Sequence, residues 1–409
     1  MPNRNPAAKI TDQEFIVRTM GQVREFLPSL DAGEAEEFLE VLKTVVETNI
    51  AWMEELNSLE SRLLQRISAT DDCRELGAIH AELNSIEMER FLKLPSVPAL
   101  HKCCTDYRDA LAARAMVIVA AEMAAAGSPS PDLPCALVSM GSDGREEQTL
   151  ITDQDYLIVY GDGGGADADD WFRRFSELLV ERLVEVGFKK CTGDIMPSNP
   201  TWRGSVTQWR KKLIAIVRYE YEDYGKNLMD LIVLSDARYV AGDKHLADEL
   251  VELIRGLEKD YFHVLWGMAK AATEMKLAIG FLKRFSTEGT GEHRGEFNLK
   301  LLAWAPLVMN VRIISINQGI PVTSTLERIA TLEKEGSFSA NMAAGLKDAY
   351  HILTRYRILL QIKVIKGIQS DAYYLNPYQL PADEREKIRQ ALLKIEDLQK
   401  VIHTNFHIV

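Results

Sequence analysis

Positive charge is in the minority in this sequence: 48 lysines and arginines stand against 60 aspartates and glutamates, for a net charge of −12. A broad, sequence-independent grip on phosphate backbones needs clustered basic side chains, so the balance argues against nucleic acid as the partner. Cysteine is scarce. Cys73, Cys103, Cys104, Cys135 and Cys191 are odd in number and form no Cys-x-x-Cys pair, which argues against a disulfide framework or a zinc knuckle and for a reducing cytoplasm. The adjacent Cys103 and Cys104 read as buried thiols. No apolar run approaches the roughly 20 residues that cross a bilayer, so no membrane span is expected. The most apolar stretch, Ala110 to Ala126, contains Arg114 and Glu122 and reads as a buried helix. Met1 to Ile10 is polar and lacks the apolar core of a signal peptide. Glycine and proline are few and 46% of the chain is hydrophobic, a composition that argues for a folded protein of two or three domains.

What is present is largely helical. Residues 34 to 67 contain neither Gly nor Pro, and Leu42, Val46, Ile50, Met53, Leu56, Leu59, Leu63 and Ile67 recur at helical spacing. Thr70 and Asp71 offer N-caps for a second helix running towards Phe91. Pro95 and Pro98 mark a boundary before a third helix, Asp106 to Ala126, closed by Gly127. The pattern then changes. Ala136 to Met140 and Tyr156 to Tyr160 are apolar runs of strand length, and Leu228 to Leu234 reads as a further strand. Between them Phe172, Phe175, Leu179, Leu183 and Val186 line a helix stopped by Gly187. From about residue 250 helices return, over Tyr261 to Leu282, Leu299 to Gln318 and Leu346 to Lys366. A last helix opens on a capping-box-like pair, Asp383 with Glu386. The expected fold is α+β: a helical N-terminal region (1–104), a central domain with a small mixed sheet (105–250) and a helical C-terminal domain (251–409). The helical regions serve as bundle packing or as a homodimer surface.

Chemistry concentrates between Ser139 and Tyr160. Here alone a strand, a Gly-containing turn and an Asp-x-Asp opening a second strand follow one another. Residues two apart on an extended strand share a face, so Asp153 and Asp155 bring two carboxylates to one point. That is a sufficient protein share of a Mg2+ (or Mn2+) site, because such ions complete their shell with water and substrate phosphates. Gly141 and Ser142 let backbone amides approach a triphosphate closely, and Thr152 is a further candidate for holding the nucleotide. Arg145 either grips phosphate or pairs with Asp153 or Glu147. Other features read as bland. Gly161 to Asp170 misses calcium-loop spacing and reads as a flexible connection, His403 and His407 as solvated termini, and Trp202 and Trp209 as packing residues.

Gly-Ser followed by Asp-x-Asp resembles the signature of the DNA polymerase beta nucleotidyltransferases. The string Gly141-Ser142-x-Gly144-Arg145-x-x-Gln148-Thr149-x-x-Thr152-Asp153-Gln154-Asp155 closely resembles a narrower bacterial nucleotidyltransferase family. That family is related to the protein-PII uridylyltransferases and is often found with CBS or cyclic-nucleotide-binding domains. The likeness continues through Met196-Pro197-Ser198-Asn199-Pro200, Trp202-Arg203, Trp209-Arg210 and Ser235 to Asp243. It reaches Pro306-Leu307-Val308, Arg312, Thr325 and Arg328-Ile329, so it spans roughly residues 105 to 370.

The resemblance implies a polymerase-beta-type domain flanked by helical domains. It implies magnesium-dependent transfer of a nucleoside monophosphate from an NTP, in the manner of uridylyl- or adenylyltransferases, to a hydroxyl of a protein or small-molecule acceptor in signalling. A third carboxylate is expected from a later strand. Asp236 takes that place by position, with Asp230 as competitor because 230 to 236 share one face of the expected strand. Tyr156, where the family more often has Asn, and Asn298-Leu299-Lys300, where it has Asp-x-Lys, depart from the pattern. A catalytically weak nucleotide-binding signalling module is the alternative.

Overall fold

A computed structural model describes residues 32–218 and 224–408; Met1 to Ile10 lies outside the described residues. Among the described residues three long helices come first, α1 (Ala32–Ala69), α2 (Cys73–Lys93) and α3 (Val97–Ala125). Leu56, Leu63 and Ile67 of α1 are buried at helical spacing against the other two. Asp72, not Thr70 or Asp71, caps α2, accepting from the Arg74 amide; the Thr70 hydroxyl is committed to Glu75. Ser96 caps α3 and Pro98 sits in its first turn, where a missing amide costs nothing. The prolines therefore open a helix, and the 104/105 boundary falls inside it.

The sheet is assembled from β1 (Cys135–Ser139), a short helix α4 (Gly141–Gly144), β2 (Tyr156–Tyr160), α5 (Gly165–Val186), β3 (Arg203–Ser205), α6 (Val206–Val217), α7 (Tyr224–Leu234) and β4 (Arg238–Gly242). Its order is β3-β2-β1-β4, with β1 antiparallel to both neighbours and β2 parallel to β3. The small mixed sheet is thus present, and β1 and β2 are buried along nearly their whole length, as their unbroken apolar runs require. Helices α2 and α3 pack on α5.

Two expectations fail here. Leu228 to Leu234 is helical, because Asn227, Leu231, Ile232 and Leu234 are buried at helical spacing; a seven-residue apolar run cannot tell the two structures apart. The strand that pairs with β1 on that side is β4. Gly165 to Asp170, expected to be a flexible connection, forms the first turns of α5, with Asp170 bonded to Arg173 and Arg174.

The C-terminal part comprises α8 (Lys244–Asp260), α9 (Phe262–Thr273), a two-stranded sheet of β5 (Phe297–Asn298) and β6 (Tyr374–Leu375), a π-helical turn (Lys300–Trp304) leading into α10 (Ala305–Asn317), α11 (Thr325–Lys334), α12 (Ala340–Ile365) and α13 (Ala382–Asn405). The 250/251 boundary falls inside α8, and the helix expected to reach Leu282 ends at Thr273. Pro381 precedes α13 without a side-chain cap, and Glu386 pairs with Arg389 instead.

One buried carboxylate joins this part to the sheet. Asp236 Oδ2 accepts from Arg145 Nη1 at 2.5 Å and from Arg312 Nη2, and its Oδ1 accepts from Arg328 Nη1 at 3.1 Å. Arg145 Nε also donates to Glu147 at 2.8 Å, and Glu147 accepts the Thr325 amide opening α11 at 2.7 Å. Burial by itself would raise the Asp236 carboxyl; Arg312, Arg145 and Arg328 overturn that and hold it below the ordinary range. Removing one side of a buried ion cluster leaves uncompensated charge. Asp236→Asn is expected to lose about 3–5 kcal/mol of stability in urea unfolding. Unchanged stability together with lost metal binding would instead make Asp236 a ligand.

Candidate functional site

Asp153 and Asp155 lie in the extended segment leading into β2. The Gln154 amide donates to the Lys189 carbonyl at 2.8 Å, and the Gln154 side chain is fully buried, donating to Val180. Alternation therefore turns Asp153 and Asp155, both half-buried, the other way. The Met140 amide donates to the Asp155 carbonyl at 2.8 Å, drawing the end of β1 against the start of β2. Gly141 comes next, with φ +59°, and a Cβ there would lie 2.8 Å from Asp155 Oδ2. Only glycine fits both the left-handed backbone and the carboxylate beside it. Gly141 and Ser142 open α4, where the first amides of a helix have no carbonyl partner within it. Thr152 is nearly buried, and its hydroxyl donates to the Asp153 carbonyl at 3.4 Å, bracing the turn.

Burial pushes the Asp155 carboxyl up to about 6; a hydrogen bond from Cys191 opposes the rise, Asp153 and Asp143 add to it, and Lys300 opposes it. Neither aspartate has a salt bridge among the described residues. Two hard oxygen donors with negative charge to spare fit a divalent cation completed by water and phosphate oxygens. The one group of three ligating side chains found among the described residues lies elsewhere, at Glu60, Glu87 and Cys103 in the helical bundle. There the Arg90 guanidinium already bonds to both carboxylates, leaving no place for a cation.

Several expected residues do not join this site. Arg145 is buried at the seam, bonded to Glu147 and Asp236, so it does not grip phosphate here; its pairing with Glu147 is the alternative that holds. Asp236 is enclosed by three arginines with 0% of its surface exposed, and Asp230 lies on a helix, where the shared strand face does not exist. Trp202 and Trp209 are buried, Trp209 donating to the Ile158 carbonyl, and Cys103 and Cys104 are buried thiols. Lys300 and Cys191 stand near the aspartates, a role the sequence reading did not give them. For Lys300 the signal was its place in the Asn298-Leu299-Lys300 motif; nothing marked Cys191.

Residues 81–223 match the family model described as "Putative nucleotidyltransferase DUF294", and residues 262–406 match "Putative nucleotidyltransferase substrate binding domain". The chain belongs to this nucleotidyltransferase family. Its two matched domains support nucleotidyl transfer with a nucleoside triphosphate as substrate. The first match begins within α2, and the second begins at Phe262, the first residue of α9. No curated protein matches the chain. Among the described residues no helix is long and apolar enough to cross a membrane.

Gly141→Ala is expected to cost about 1–2 kcal/mol from its backbone alone and to displace Asp155, so metal affinity measured by titration calorimetry should fall with stability. A raised carboxyl makes the ionised form unfavourable in the fold. The contribution of Asp155 to metal-free stability therefore falls as pH rises from about 4 to about 6. Asp155→Asn is expected to remove this share of the slope, leaving that of the buried Asp109 carboxyl, and to melt above the wild type at pH 8 in chelator, followed by circular dichroism.

Proposed function

We propose that the protein is a magnesium- or manganese-dependent transferase that moves a nucleoside monophosphate from an NTP to a hydroxyl of a protein or small-molecule acceptor. The observation that supports this most directly is the half-buried pair Asp153 and Asp155 set against the glycine turn. The pair would hold divalent metal, which supplies neutralisation of phosphate charge and in-line orientation of the reacting groups. Gly141 and Ser142 would present their amides to the triphosphate. The acceptor oxygen bonds to the α-phosphorus, the bond from that phosphorus to the bridging oxygen breaks, and pyrophosphate leaves with the electron pair. The hydroxyl proton passes to water, because Asp236 is held by arginines. A signalling role in a bacterial cytoplasm, with a uridylyl or adenylyl group as cargo, is part of the proposal.

A specific observation favours a second reading. With Asp236 locked at the seam, only Asp153 and Asp155 of the three expected carboxylates lie together, which suits a nucleotide-binding module with weak transfer. Incubation with each labelled NTP, magnesium and cell extract separates the two. Transfer of label by the wild type and none by an Asp153→Asn/Asp155→Asn variant supports the enzyme. Magnesium-dependent NTP binding without transfer supports the module, and NTP binding indifferent to both magnesium and the double substitution overturns the metal site.

A further inference from the structure

The arginines nearest the glycine turn are already committed, Arg145 to Glu147 and Asp236, and Arg238 to Asp109 and Asp143 at 2.7 and 3.0 Å. Lys300 and Arg357 of the C-terminal domain form no such pairs among the described residues. Lys300 opens the π-helical turn, a distortion common at functional sites. The preceding Leu299 amide donates to the Tyr373 carbonyl at 2.8 Å, and the Lys300 ammonium stands 5.3 Å from the Tyr373 ring centre. Trp304 closes the same turn, its indole N–H donating to Thr354 at 3.1 Å.

On the Trp304 ring lies the Arg357 guanidinium, 3.8 Å from its centre, and Arg357 Nη1 is buried with no hydrogen-bond acceptor. Lys300 forms no ion pair within 4.0 Å among the described residues. Burial works against the Lys300 charge, Arg357 adds to that, and Asp153, Asp155 and Cys191 counter it. Buried donors and cations are ordinarily paired. Two neighbouring ones left without an acceptor, beside a carboxylate pair suited to metal, make a receptor for an oxyanion.

We propose that Lys300 and Arg357 bind the β- and γ-phosphates of the nucleoside triphosphate, so that the helical C-terminal domain, in place of Arg145, receives the departing pyrophosphate. This rests on the transferase reading above. A planar guanidinium fixed on an indole presents its edge to two phosphate oxygens, and the ammonium adds a point charge.

Titration calorimetry with NTP, inorganic pyrophosphate and NMP tests the assignment on Lys300→Met, Arg357→Gln and Arg357→Lys, with Mn2+ binding followed by electron paramagnetic resonance. NTP and pyrophosphate affinities are expected to fall about tenfold or more in Lys300→Met and Arg357→Gln. Arg357→Lys should recover part of the loss, while NMP and Mn2+ binding stay unchanged. Wild-type affinities for NTP and pyrophosphate in all three folded variants would overturn the proposal, as would an equal loss for NMP. Should Arg357→Gln fail to fold, the half-buried Lys300→Met carries the test alone. The two readings fail separately. Pyrophosphate binding that depends on Lys300 in a protein that binds no Mn2+ keeps the cation pair and removes metal-dependent transfer. Label transfer that requires Asp153 and Asp155 but leaves pyrophosphate indifferent to Lys300 does the reverse.

Discussion

Asp236 accepts hydrogen bonds from three guanidinium groups, one from the turn after the first strand and two from the C-terminal helices. A carboxylate removed from water in this way is tolerable only while all its partners stay in place, so the cluster fixes how the helical domain sits against the sheet. The surrounding geometry follows the same constraint. A Cβ on Gly144 would lie 2.0 Å from the Asp236 carbonyl, so the turn can approach only as glycine. The Thr323 hydroxyl donates to the Gly144 carbonyl at 2.7 Å, adding a second tie across the seam. Lys300 stands near the aspartates because this docking is fixed.

Much of the conspicuous motif serves architecture. Arg108 is fully buried and donates to Gln148 Oε1 at 3.0 Å, to the Thr149 and Leu150 carbonyls, and to Asn84 Oδ1. His101 bridges the Gln148 carbonyl to the Tyr350 hydroxyl, at 2.7 and 3.0 Å. His80 links Arg108 Nε to the Val186 carbonyl, at 3.1 and 2.8 Å, and burial pushes His80 down to about 3 and His101 to about 4, so both serve as neutral imidazoles in these bridges. Helices α2 and α3 are thereby tied to the loop that carries the aspartates, which fits a family match that begins at residue 81.

Local signals were legible in the sequence and directional ones were not. The strands at Cys135–Ser139 and Tyr156–Tyr160 stood out because short apolar runs were bounded by turn residues, and period two oriented Gln154 opposite its neighbours. The segment Leu228 to Leu234 misled because its length suits a buried strand and a helix equally. Pro98 misled because proline punctuates a helix start as readily as a linker. Arg145 and Asp236 were found as residues, but the direction of their side chains depends on Arg312 and Arg328, far along the chain. Lys300 belongs to the same class, since only tertiary closure brings it near Asp153.

Arg145 occupies the position in the motif where a phosphate-gripping residue was expected, yet its guanidinium faces inward, bonded to Glu147 and Asp236 and lying 5.4 Å from the Trp304 ring centre. Natural variation there acts first through the fraction of chains that stay folded and escape degradation. An allele altered at this arginine would leave a cell short of the protein, where one altered at Asp155, whose carboxyl joins no ion pair among the described residues, would leave the amount of protein untouched.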